Sequence, residues 1–301
     1  MRPAQITRPM QAYFDQVAET YDQAFTHTVI GRAERDSVWQ ELGHVFHSGQ
    51  RILELNCGTG VDAIHLAASG VRVTACDISP RMIDIARRRL SSSRLGRLLD
   101  FRVLASEDIA ALSDEGPFDG AFSNFAGLNC VEDLSSIARS LAELVKAGAQ
   151  VLLCVSGHFV PLEIAWHLAH GRPRRAMRRF KHSGTVGDTT DDGKAIVHYP
   201  TVRTFARLFA PDFQLRRWRG IGVTMPPAYF EPWARRFPKA FELLAKADPW
   251  AGRLPGLRRM AGHALLQFER VRDDPGRPRF ASPAMGVTEE PSPSRPCRLC
   301  D

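Results

Sequence analysis

Two carboxylates bracket a glycine loop early in this chain. Glu54 closes the apolar run Arg51–Leu55, the loop Asn56-Cys57-Gly58-Thr59-Gly60 follows, and Asp77 closes the alternating run "VRVTACD". In an open α/β sheet, ligands sit beyond the carboxyl ends of the strands, where an acid after strand two can accept hydrogen bonds from both hydroxyls of a ribose. The glycines let backbone approach a ligand, and Gly60 leads directly into a helical pattern whose N-terminus favours polar groups. Gly58 to Ala63 also fits G-x-G-x-x-A, a dinucleotide fingerprint. Glu54 argues against that use, because a carboxylate beside the loop repels a pyrophosphate and suits a cation. Asn56 stands where such loops usually carry their first glycine. Asparagine visits left-handed backbone readily, so it is expected to keep the turn and to hydrogen-bond locally or toward the ligand.

Alternating strands and helices must hold these groups. "RILEL" is a strand and "VDAIHLAASG" a helix stopped by Gly70. Ser79 is a candidate N-cap with Pro80 at the first position of the helix "PRMIDIARRRL". "DFRVLA", "FDGAFSN" and "AQVLLCVS" are further strands, the last two separated by the helix "VEDLSSIARSLAELVKAG". The repeat predicts a parallel sheet covered by helices on both faces. Ahead of it, Phe14, Val17, Ala18, Tyr21 and Phe25 follow helical spacing, and a second helix is expected over Arg32 to Phe46.

After Ser156 the rhythm changes. An apolar helix "FVPLEIAWHLAHG" precedes the basic run "RPRRAMRRFK", and "HSGTVGDTTDDGKA" reads as a mobile loop rich in Gly, Thr and Asp. A helix at "YPTVRTFARLFA", a strand at "FQLRRWRGIGV", proline-broken helices and a final strand "HALLQFERV" complete the pattern. The expected organisation is a helical cover over 1–47, a main domain over 48–272 with lobe insertions at about 157–212 and 222–261, and a disordered Pro- and Ser-rich tail over 273–301. Cys297 and Cys300 form a C-x-x-C in that tail with no second pair nearby, which is too little for a zinc site, so no metal is expected.

Composition is that of a globular protein, 44% hydrophobic and 24% charged over 301 residues, with a net charge of +7. No apolar run approaches the roughly 18 residues of a membrane span. "MRPAQITRPMQAYF" lacks the apolar stretch of a signal peptide, so a cytoplasmic location is expected. The positive charge is concentrated: from Ser156 to Gly262 there are 19 Lys or Arg against 8 Asp or Glu. The same segment carries Phe159, Trp166, Phe180, Phe230, Trp233, Phe237, Phe241 and Trp250. Most of these are expected in the core. A cap this apolar and basic suits a hydrophobic, anionic small or lipid-like substrate, and peripheral contact with an anionic membrane.

Glu54 to Gly60 resembles the E/D-x-G-x-G-x-G motif of class I S-adenosylmethionine-dependent methyltransferases. "FDQVAETYD" is similar to the helical opening of their small-molecule branch, which includes quinone-biosynthesis enzymes; "CDISPRMIDIAR", "FDGAFSNF" and "LAELVKAGAQVLLCV" resemble later motifs in the right order. The resemblance covers roughly residues 10–156. It implies a Rossmann-like, doubly wound seven-stranded sheet whose last strand is antiparallel, with N-terminal helices and an inserted helical substrate lobe. It also implies S-adenosylmethionine as cofactor and methyl transfer to an O, N or C atom of a small or lipid-like molecule. Glu54 would lie near the methionine ammonium, Gly58 and Gly60 would shape the loop together with Asn56, Cys57 and Thr59, and Asp77 would bind the ribose. Ile78 and Met82 would flank the adenine, Ser106 and Glu107 would meet its amino group, and Ser123, Asn124 and Phe125 would lie beside the methionine. Tyr21 belongs to the same expected set. His158, directly after strand five, is the first candidate for proton acceptor, with His198 and Tyr199 behind it. "SNF" is not the Asn-Pro-Pro-aromatic pattern of nucleobase methylation, which argues against nucleic acid; a nicotinamide-dependent oxidoreductase and a nucleic-acid methyltransferase using the basic lobe are the rival readings.

Overall fold

The computed structural model describes residues 4–181, 183–190 and 193–271. The tail expected to be disordered, with Cys297 and Cys300, lies outside the described residues. A seven-stranded sheet is built from β1 (Arg51–Leu55), β2 (Arg72–Asp77), β3 (Leu99–Val103), β4 (Phe118–Ser123), β5 (Val145–Ser156), β8 (Phe213–Ile221) and β9 (His263–Arg270). Its order is β3-β2-β1-β4-β5-β9-β8, parallel through β5, with the last strand β9 antiparallel to both neighbours. A separate antiparallel pair joins β6 (Ser183–Thr190) to β7 (Gly193–His198).

Helices α1 (Ala4–Tyr21) and α2 (Val29–Val45) precede the sheet; α3 (Val61–Ala68), α4 (Pro80–Ser91) and α5 (Leu134–Leu144) connect its strands. α6 (Pro161–Ala169), α7 (Pro173–Ala176), α8 (Val202–Phe209), α9 (Glu231–Arg236) and α10 (Pro238–Ala251) belong to the second half. Successive strand residues feed opposite layers, as the pleat requires. Leu53, Leu55 and Ala121 pack with Leu141, Phe205 and Phe209 from α5 and α8. Ile52 and Phe122 pack with Val38, Leu42 and Ile83 from α2 and α4. Emptying a fully buried Phe209 costs about 3–5 kcal/mol by loss of transfer energy plus the cavity left behind.

Local signals in the sequence act as expected around the loop. Ser79 Oγ caps α4 by accepting from Met82 N–H at 3.1 Å, with Pro80 at the first position. The segment read as a mobile loop is instead the β6–β7 hairpin. Its Gly, Thr and Asp content resembles turn chemistry, but Ala195 and Val197 are buried while Ile196 between them is exposed. That period-two face packs on Met10, Tyr13 and Phe14 of α1, so tertiary burial overrides local composition. Asn129 fastens the hairpin to the sheet: its Nδ2 donates to His198 O at 2.7 Å and its Oδ1 accepts from Ser156 N–H at 3.0 Å.

Candidate functional site

Beyond the ends of β1, β2 and β4 the chain makes a tight, polar cradle. Asn56 has φ +55°, Gly58 +53° and Gly60 +74°. Asparagine therefore supplies the left-handed turn, and its Oδ1 accepts from Ser123 Oγ at 3.2 Å. The bond is local, within the cradle. Gly60 is required by packing as well as by φ, since a Cβ there would lie 2.7 Å from the Phe101 ring and 2.8 Å from Ala86. Asp77 stitches the loop from below: its two oxygens accept from Gly58 N–H and Ser79 N–H, each at 2.9 Å. Each carboxylate oxygen keeps a further acceptor site for a hydroxyl donor. Burial lifts the Asp77 pKa from 3.8 to about 6 against the pull of those two N–H groups.

The end of α1 and the turn after it close over this loop. Asp22 accepts from Thr59 Oγ1 at 2.8 Å and pairs with Arg89, whose Nη1 also donates to Thr59 O at 2.7 Å. Asp15 accepts from Ser79 Oγ at 2.5 Å. Thr59 and Ser79 are thereby committed to holding the cover in place. Tyr21 lies in the same acidic field, and burial raises its phenol to about 12. Cys57 is buried, its N–H donating to Cys76 O at 2.9 Å, and burial pushes its thiol well above the usual range.

Glu54 is the least ordinary group. It is 1% exposed, and its Oε2 has no hydrogen-bond partner among the described residues. Burial, then the neighbouring Asp62, pushes its pKa well above the carboxylate range, with Arg35 pulling the other way. Asp62, in the first turn of α3, is the hub of a buried network: it pairs with Arg35 Nη1 at 2.5 Å and accepts from Trp39 Nε1 at 2.7 Å and Asn124 Nδ2 at 2.9 Å. The Arg35 guanidinium stands 4.9 Å from the centre of the Phe125 ring and 5.7 Å from that of Phe25. Acids outnumber bases here.

The backbone is strained at the same place. Among the described residues the non-glycine positions with positive φ are Asn56, Phe125 (+42°) and Ala126 (+65°), and all three lie at this cradle. Gly127 follows because a Cβ there would lie 2.4 Å from Asn56 Cβ. Such strain clusters at ligand sites, where surrounding contacts over-determine it.

The structure thus brings Glu54, Asn56, Gly58, Asp77, Ser123, Asn124 and Phe125 together. Met82 is buried and Ile78 partly exposed beside the Asp77 turn. Ser106 is buried at the start of the turn after β3, and Glu107 beside it is raised by burial; Leu104 N–H donates to Asp77 O at 2.9 Å. His158 packs edge-on against Phe180 at 5.4 Å, and its Nδ1 has no hydrogen-bond partner among the described residues. Sequence reading missed Arg35, Trp39, Asp62 and Asp22. Their partners lie on other elements, so no local pattern marks them; Asp62 in a helix's first turn looks like an ordinary dipole residue. It also missed His263, whose ring meets Phe125 at 5.4 Å and whose Nδ1 is 3.7 Å from Glu34. Burial drops His263 to about 3 and lifts Glu34 to about 8.

The lobe departs from expectation. Of the eight aromatics named there, Phe241 is buried, whereas Phe159, Phe180, Trp233, Phe237 and Trp250 are exposed. They are surface, not core. Within the basic run, Arg178 and Arg179 pair with the buried Glu163 at 2.9 Å, while Arg172, Arg174 and Arg175 line an open surface cleft. Among the described residues no helix is long and apolar enough to cross a membrane.

Comparison with known proteins gives a consistent picture. The family model described as "Methyltransferase domain" matches residues 52–148. The demethylmenaquinone methyltransferase of Clavibacter sepedonicus is 30% identical over 153 residues, 51% of this chain and 58% of that protein. The ubiquinone biosynthesis O-methyltransferase of Xanthomonas axonopodis pv. citri is 37% identical over 106 residues, 35% of this chain and 43% of that protein. The chain thus spans about half the length of these relatives. Among solved structures, a DhpI complex with S-adenosylhomocysteine aligns with TM-score 0.56 at 17% identity, covering 90% of this chain and all of that one. The CcbJ methyltransferase from Streptomyces caelestis aligns with TM-score 0.56 at 16% identity, covering 86% and 98%. At these identities the likeness is one of fold.

Proposed function

We propose that this protein, whose residues 52–148 match the methyltransferase domain model, moves a methyl group from S-adenosylmethionine to a small, hydrophobic or lipid-like molecule. The observation that carries the proposal is the buried, partnerless Oε2 of Glu54 beside a loop held open by Asn56, Gly58 and Gly60. A buried carboxylate oxygen without a donor is costly, and an ammonium group placed there satisfies it. A pyrophosphate would worsen it, which disfavours the nicotinamide reading.

Each residue then has a task. Glu54 receives the amino group of the methionine portion, and Asp77 accepts from the ribose with the lone pairs its two backbone bonds leave. Ile78 and Met82 offer apolar contact to the base, with Ser106 and Glu107 at its polar edge. Tyr21, Asn124 and Phe125 close over the methionine end, and Cys57 and Thr59 hold the loop's shape. When bound, the cofactor supplies an electrophilic methyl on sulfonium. The protein's part is to align an acceptor in line with it and to exclude water. An oxygen or carbon acceptor also needs its proton taken. His158 at the end of β5 is one candidate; His263, neutral at physiological pH and touching Phe125, is another.

For the substrate, the exposed lobe aromatics and the outward Arg172, Arg174 and Arg175 support a hydrophobic molecule with an anionic group, or one drawn from an anionic membrane surface. The quinone-pathway names of the sequence relatives support the hydrophobic part. The test is transfer of labelled methyl from S-adenosylmethionine into fractionated cell extract, with mass spectrometry of the product. A labelled lipid-like product is expected; labelled nucleic acid, or no label in any fraction, would overturn the proposal.

A further inference from the structure

A second cleft lies among β8, β9, β5 and the C-terminal half of α2, away from the cofactor loop. It is a cavity of about 130 Å³ lined by Glu41, Trp218, Gln267 and the three guanidinium groups of Arg217, Arg219 and Arg253, with Leu152 and Leu265 beneath. Arg217 and Arg219 point the same way because they are two apart on β8. Glu41 is the cleft's sole acid and is already engaged: its Oε1 pairs with Arg219 Nη1 and its Oε2 accepts from Arg217 Nη2 at 3.1 Å. Arg253 reaches Oε1 only at 3.8 Å. Asp248, the next acid in Arg219's field, is occupied by the N–H groups of Gly222 and Thr224.

Arg219 is therefore a buried cation with donors to spare. It is 6% exposed, yet its Nε and Nη2 have no hydrogen-bond partner among the described residues. Burial lowers its pKa, partly countered by Glu41, and Arg253 lowers it further. Three guanidiniums against one lining carboxylate, with Asp248 behind Arg219, leave the hollow net positive. The spare Arg219 nitrogens are packed out of contact with it, so the donors that reach it belong to Arg217 and Arg253. Water could fill the volume, each molecule taking about 30 Å³, but it would leave the charge. Planar guanidinium forks match the oxygens of a tetrahedral oxyanion, and the hollow has room for one such group.

We propose that this cleft binds a phosphate-type oxyanion, either inorganic phosphate or the phosphate of a small monoester. Arg219 forms the floor, and Arg217 and Arg253 close over the anion from the rim. Glu41 holds the guanidiniums in register and competes weakly with the guest.

The test is calorimetric titration of the full chain with inorganic phosphate and, separately, glycerol phosphate, at fixed ionic strength, with acetate as a monoanion control. One phosphate per chain is expected. Arg253→Gln and Arg217→Gln, both on exposed side chains that leave the fold intact, should each weaken binding by about tenfold or more, the loss of one charge-assisted hydrogen bond. Glu41→Gln should tighten it. Arg94→Gln, an exposed arginine after α4 that lines neither basic cleft, should leave it unchanged. Binding of inorganic phosphate alone identifies the free ion as the guest, and equal binding of the ester identifies a phosphorylated small molecule. No saturable binding, equal binding of acetate, or an affinity indifferent to Arg217 and Arg253 would overturn the proposal.

Discussion

Near its start, α2 meets a buried cluster in which Glu54 and Asp62 face Arg35 and Asp77 lies in Glu54's field, and one Glu54 oxygen has no donor among the described residues. Near its end, the same helix meets Arg217, Arg219 and Arg253 around Glu41, and two Arg219 nitrogens have no acceptor among the described residues. The two places are built from the same pieces in opposite proportion. In each, one carboxylate, Asp62 or Glu41, ties the cluster together, and the surplus sign sets the charge of what can bind. On the proposed reading, the acid-rich cradle takes a cationic cofactor and the base-rich hollow an anion. The difference also shows in rigidity, because the acid-rich end is tied by Trp39 and Asn124, whereas Arg217 and Arg253 at the base-rich end reach solvent.

Removing the hub of the acid-rich end should have the largest effect. Asp62→Ala strands Arg35 in the interior and frees Trp39 and Asn124, and a loss of about 3–5 kcal/mol is expected from urea denaturation. The contrasting Arg253→Gln removes an exposed charge and should cost less than about 1 kcal/mol. Similar losses in both would break the distinction between a tied and an open end.

Next in size is a pH effect at Asp77. Its pKa is 3.8 in the unfolded chain and about 6 in the fold, so the folded state holds more protons between those values. The penalty for its charge is absent below about pH 4 and grows to about 3 kcal/mol above pH 6. Stability of Asp77→Asn relative to the parent should therefore rise by that order between about pH 4 and 7 in paired denaturation series. A constant difference would place the charge penalty elsewhere.

Smaller effects follow at the loop. Asn56→Val puts a β-branched residue at φ +55° and should cost about 1–2 kcal/mol. Asn56→Gly keeps the turn and loses only the bond from Ser123, so thermal denaturation should shift little and cofactor binding should persist.

These predictions separate what the sequence discloses from what it conceals. The strand-loop-helix rhythm, the Ser79 cap and the left-handed Asn56 are local facts, each decided by neighbours within a few residues, and all are legible. The cradle's acids at Glu54 and Asp77 are legible too, since strand ends are where such groups collect. The Arg35–Asp62–Trp39 network is not, because its members meet only after α2 docks on α3. The β6–β7 hairpin hides behind turn-like composition and is revealed by the apolar face of α1 that it covers. The exposed lobe aromatics defy the usual expectation because residue type alone cannot say whether an apolar side chain faces a core or a partner.

On the proposed reading, the buried Glu54, whose Oε2 has no partner among the described residues, makes this loop a seat for a cationic cofactor. Calorimetric titration of S-adenosylmethionine into the parent and into Glu54→Gln tests it most directly, with NAD as competitor. One-to-one binding to the parent is expected, weakened about tenfold or more in the variant by loss of a charge-assisted bond, and undisturbed by NAD. Equal affinity in parent and variant, or displacement by NAD, would contradict it.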